Sequence, residues 1–97
     1  MNGSLNDQFF DFACKVLNYA IEFVNAPGYA SLRLADVLNS LLELQPQIEG
    51  TSREEFYQKV REKMESRQLL SGPEARSKFL DELLTMFVDE WRKTSVE

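Results

Sequence analysis

The chain has 97 residues, 43% hydrophobic and 28% charged, with 16 acidic against 11 basic side chains and a formal net charge of −5. That length holds one domain with one modest core, and the composition excludes a disordered chain. The acidic balance excludes binding to nucleic acid or anionic lipid driven by overall charge.

Apolar residues recur at helical spacing in segments separated by Pro and Gly, and no stretch alternates as a strand would. The pattern predicts helices over about 5–25, 31–45, 52–70 and 73–93, with 94–97 a frayed tail, all within a single domain spanning residues 1–97. Ser4 is the expected N-cap of the first helix, with Asp7 three residues on. Phe9, Phe12, Ala13, Val16, Ala20, Phe23 and Val24 are its expected inward positions, and Phe10, Leu17 and Ile21 widen the stripe. So broad an arc needs two neighbours in a bundle, or one neighbour and a second subunit.

Pro27 and Gly28 stop that helix, and Ser31 is the expected N-cap of the next. Leu34, Val37, Leu38, Leu41, Leu42 and Leu44 form its apolar face, and Pro46 limits its length. Thr51 with Glu54, or Ser52 with Glu55, offers a capping box for the third helix. Its apolar stripe of Phe56, Tyr57, Val60 and Met64 is narrow, and Leu69 and Leu70 close it onto the core. Gly72 and Pro73 then end one helix and start another, whose stripe runs through Ala75, Phe79, Leu80, Leu83, Leu84, Phe87, Val88 and Trp91. Four helices with short connections predict an all-α four-helix bundle, up-down-up-down and antiparallel. The second helix has one base, Arg33, against Asp36 and Glu43, which does not suit a DNA-reading helix.

Histidine is absent, which removes the commonest general base and metal ligand. No catalytic triad, phosphate loop or dinucleotide fingerprint is present, so the expectation is a protein that is not an enzyme and uses no cofactor or metal. The carboxylate pairs Asp81-Glu82 and Asp89-Glu90 diverge around a helix and read as a solvated face. The single cysteine, Cys14, excludes an internal disulfide, and no adjacent cation is placed to activate it. Lys59, Lys63 and Arg67 make a short basic stripe that reads as a salt-bridged surface. No run reaches the ~18 apolar residues of a membrane helix and no export signal is present, so a cytoplasmic location without membrane contact is expected.

Two groups stand out as candidate sites. Arg33 in a first helical turn faces the helix dipole unfavourably. In the expected bundle Glu74 or Asp81 would compensate it, with the Tyr29 hydroxyl alongside. These four residues are either a polar staple or a small pocket for an anionic ligand. Phe87 and Trp91 close the strongest apolar stripe and are either core or interface.

At Gly28-Tyr29, Leu32-Arg33-Leu34 and Phe79-Leu80-Asp81-Glu82-Leu83, within Phe12 to Trp91, the chain resembles a family of short bacterial proteins of unknown function. The resemblance implies a compact all-helical bacterial protein and assigns no functional residue. The expected function is a non-catalytic protein-protein interaction or assembly module acting as a homodimer. The alternative is a binding or regulatory subunit for an anionic small molecule near Tyr29 and Arg33.

Overall fold

The computed structural model describes residues 4–26, 29–51, 53–65 and 72–95. Among them the chain is all-α, with helices α1 (Leu5–Glu22), α2 (Ala30–Leu44), α3 (Glu54–Met64) and α4 (Pro73–Ser95), and a 3-10 turn at Gln45–Gln47 after α2.

Local chemistry sets several of the ends. The Ser4 hydroxyl oxygen accepts from the Asp7 N–H at 3.1 Å, satisfying one of the orphan donors of the first turn as expected. The helix then closes at Glu22, short of the expected Asn25, because the last turn tightens. Val24 N–H reaches Ile21 rather than Ala20, and Ala26 N–H reaches Phe23.

That tightening leaves the Ala20 carbonyl without its helical partner, and Ser31 supplies one. Ser31 is not the N-cap of α2. Tyr29 holds that position with no side-chain cap bond, and Ser31 lies one residue inside the helix, buried, donating its hydroxyl to the Ala20 carbonyl at 2.8 Å. It caps the end of α1 from α2, across the turn, instead of its own helix.

Pro46 sits in the first turn of the 3-10 segment and ends α2 as predicted. The buried Gln45 side chain donates to Thr51 Oγ1 at 3.0 Å and accepts from Arg61 at 3.3 Å. The Thr51 hydroxyl in turn donates to the Ile48 carbonyl at 2.9 Å. Thr51 therefore braces the loop rather than capping α3, which begins later than expected, after Arg53. The alternative cap, Ser52, lies outside the described residues, as do Leu69 and Leu70 and the remainder of the expected third helix beyond Glu65. The fourth helix continues to Ser95, past the expected start of the tail.

Ser31 joins α2 to the end of α1. At the other end Leu5 packs beside Gly50, where a Cβ would stand 3.2 Å from Leu5 Cδ2 and where φ is +93°, so glycine fits on both counts. The two helices are therefore antiparallel. Arg53 at the start of α3 meets Glu90 near the end of α4, and Lys63 near its end meets Glu82, so α3 and α4 also run in opposite senses.

Residues of α1, α2, α3 and α4 share one core, with Leu17, Leu38, Leu42, Val60, Phe79, Leu80 and Leu83 fully enclosed. At one end of it Phe9, Phe10, Phe56, Tyr57 and Phe87 stack edge-on or tilted, with Phe56 and Phe87 centroids 4.9 Å apart. The expected stripe of α3 is buried as read. On α1 the inward arc is narrower than expected, since Phe12 is 51% exposed and Phe23, just past the helix end, also lies at the surface. Val37 and Leu44 on α2, and Val88 and Trp91 on α4, are likewise exposed.

Candidate functional site

The four residues of the expected polar cluster do not converge. Tyr29 is 70% exposed and Arg33 is exposed, and a backbone bond joins Arg33 N–H to the Tyr29 carbonyl at 2.9 Å. Glu74 and Asp81 lie together on α4, along an open groove of about 550 Å³ whose lining, Glu74, Ser77, Lys78, Asp81, Glu82 and Thr85, comes from that one helix. A groove walled by a single helix gives a ligand no second side to grip. Among the described residues no ion pair joins Arg33 to Glu74 or Asp81. α2 and α4 both pack on α1, α2 more extensively, and α4 also meets α3.

The remaining candidate groups are structural. Lys63 reaches Glu82 at 2.6 Å and lies 5.3 Å from the Phe79 ring centroid, and this hydrogen bond holds the Glu82 carboxyl below its usual range. One member of each carboxylate pair is thus committed to a cation, Glu82 to Lys63 on α3 and Glu90 to Arg53 at its N-cap. No cluster of metal-ligating side chains forms among the described residues. Burial, reinforced by Asp11, pushes the half-buried Cys14 thiol up, the opposite of what a nucleophile needs. Among the described residues no helix is long and apolar enough to cross a membrane.

A polar junction absent from the sequence reading lies at Arg53. Its backbone is left-handed, with φ 67° and ψ 40°, the one non-glycine residue with positive φ among those described. Its side chain is 9% exposed, and the guanidinium carbon stands 4.4 Å from the Phe10 ring centroid. Nη1 donates to Glu90 Oε2 at 3.2 Å, and Nη2 lies 4.0 Å from Asp7 Oδ1. One residue thereby ties α1, α3 and α4.

Tyr57 lies one turn further along α3, fully buried, and its hydroxyl has no hydrogen-bond partner among the described residues. Burial pushes that phenol up to about 12, with Arg53 opposing and Glu90 adding to the shift. A cleft of about 460 Å³ between α3 and α4, lined in part by Arg53, Lys59, Met86 and Glu90, opens beside this junction. Its acids and bases are interleaved and neutralise one another, so the geometry is that of a brace rather than of a site for one charge sign.

The largest chemically uniform feature is apolar. Leu5, Phe12 and Tyr19 recur one heptad apart on α1, with Phe23 four residues further on, and all four are exposed. Val37 and Leu44, also a heptad apart, are exposed on α2. Phe87, by contrast, is fully enclosed by Phe10 and Phe56 and belongs to the core, while Trp91 beyond it is 56% exposed. The signal for the apolar surface was in the sequence as the excess width of the first stripe. What it lacked was which flank the neighbours would leave uncovered. No family model, curated protein or solved structure matches this chain.

Proposed function

We propose that the protein is a non-catalytic interaction or assembly module that works as a homo-oligomer, in its simplest form a homodimer. The observation that carries this reading is the set of large apolar side chains left exposed on α1 and α2 while the core beneath them is closed. Exposed aromatic and aliphatic surface in such a row is characteristic of a binding face. The underlying architecture in this reading is an up-down-up-down four-helix bundle. The antiparallel senses of α1 with α2 and of α3 with α4 support it. A cytoplasmic setting and kinship with short helical bacterial proteins go with the same reading and assign no residue.

Sedimentation equilibrium over a wide concentration range tests it. The expected result is a species of twice the 11.2 kDa chain mass that dissociates on dilution. A chain-mass species at every concentration, up to the solubility limit, would overturn the reading.

A further inference from the structure

We infer that the exposed α1–α2 face is where a second copy of this chain docks, about a two-fold axis crossing the face at the level of Ala13 and Leu38. This rests on the oligomeric reading above and supplies its surface, its partner and its register.

The six exposed apolar residues belong to one face. On α1, the flank carrying Phe10 meets α4 through Phe87, and Cys14 and Ile21 on that flank are partly covered. Leu5, Phe12, Tyr19 and Phe23 lie on the opposite flank, beside Phe9 and Val16. On α2, Val37 and Leu44 lie beside Leu34 and Leu41, which are partly buried against the core. Antiparallel helices packed on a common core are related by a local two-fold, so these equivalent flanks open on one side of the pair.

The size fits a copy of the chain. At the exposures found, from 41% to 51%, these six side chains present on the order of 600 Å², the upper end of the largest apolar patch seen on ordinary monomers. With the stems of the bordering Gln8, Lys15 and Arg33 the face approaches the ~800 Å² per partner of a standard stable interface.

The charges around the face select the register. Asp11 and Lys15 stand one turn apart on α1, both exposed and not bridged to each other, and Arg33 on α2 has no ion pair among the described residues. Ser31 bonds Ala20, which fixes the stagger of α1 against α2. One heptad along from that pair, Ala13 and Leu38 are level. An axis at Ala13 sets Lys15 of one copy against Asp11 of the second. An axis at Leu38 sets Arg33 against Glu43 of the second copy. The complementary pairings on two helices thus meet at one level. The same axis brings each Phe12 close to its own counterpart, and drops Leu5 of the second copy between Tyr19 and Phe23. Such self-complementarity is what a closed two-fold interface requires. It also gives Arg33, misplaced against its own helix dipole, a compensating acid in the dimer.

The test is sedimentation equilibrium of the full chain and its variants, each first checked for native helicity by circular dichroism. Phe12→Asp is expected to weaken association by roughly 30-fold or more, as for a central interface residue, and Tyr19→Lys to act likewise. Val88→Asp, on α4 and outside the face, is expected to leave it unchanged. Lys15→Glu is expected to weaken association several-fold, and Lys15→Glu with Asp11→Lys to restore it. A wild-type dimer that survives both Phe12→Asp and Tyr19→Lys overturns this face while leaving the oligomeric reading intact. Failure of the double charge exchange to restore association overturns the register. A wild-type chain that never associates overturns both readings together.

Discussion

Arg53 concentrates two costs in one position, a left-handed backbone and a charge withdrawn from water. A non-glycine residue in that conformation costs about 1–2 kcal/mol, and it persists where the surroundings over-determine it. Here those surroundings are Glu90, Asp7 and the Phe10 ring. Arg53→Ala is expected to destabilise the fold by about 3 kcal/mol, the loss that follows removal of one partner from a buried pair. Arg53→Gly, which loses the same contacts and relieves the backbone, is expected to recover about 1 kcal/mol of that. Urea denaturation of both variants checks this, and equal stabilities would remove the strain from the account.

Tyr57 is the converse case, a polar atom buried without a partner. Tyr57→Phe keeps the ring contacts with Phe9 and Phe56 and removes the unsatisfied hydroxyl, so it is expected to stabilise by about 1 kcal/mol. The pH dependence has a definite sign. The phenol is raised from 10.0 to about 12 on folding, so its neutral form is favoured by the native state. Its contribution is complete below pH 10.0 and is lost as pH rises toward about 12. Melting curves should therefore show an alkaline loss of stability in that window that Tyr57→Phe reduces. Glu82 works the other way. Its depressed carboxyl contributes above the ordinary carboxylate range and loses that contribution on acidification.

At the scale of the element, what could be read from the sequence was what is local in the chain. Ser4, Pro46 and Pro73 act on the backbone within a few residues of themselves, and each does in the structure what its chemistry implies. Ser31 obeys a partner eleven residues away, which no capping rule sees. Ser31→Ala should leave the Ala20 carbonyl unsatisfied at a cost of about 1–2 kcal/mol, lowering the melting temperature by roughly 5 °C or more. A cap substitution confined to α2 would instead leave the end of α1 unaffected. Amide exchange at the last turn of α1 separates the two, and unchanged protection there would contradict the cross-helix cap. The first helix shows the same limit on a larger scale. Its apolar arc is wider than one core can absorb, and periodicity alone weights Phe12 and Phe9 equally. The placement of the other helices, with Tyr57 of α3 against the Phe9 ring, decides that Phe9 is enclosed and Phe12 is left at the surface. The Arg53 junction was illegible for the same reason, since Glu90 lies 37 residues away.

For the molecule as a whole, the core and the exposed face are two outcomes of one sequence pattern. Four amphipathic helices close an aromatic and aliphatic interior among the described residues, and much of the surplus apolar surface lies on the α1–α2 side, with Val88 and Trp91 left exposed on α4. A chain of this size buries a smaller share of its surface than a larger domain does, so association is the direct way to withdraw that surplus from water. The candidate polar cluster of Tyr29, Arg33, Glu74 and Asp81 offers no enclosed space to compete with this reading. Native mass spectrometry of freshly purified protein, released from a volatile buffer across a dilution series, tests the central claim most directly, because one spectrum reports both subunit number and any retained molecule. The expected result is a dimer of bare chains that dissociates on dilution. Monomers throughout, or a reproducible added mass on each chain, would contradict it.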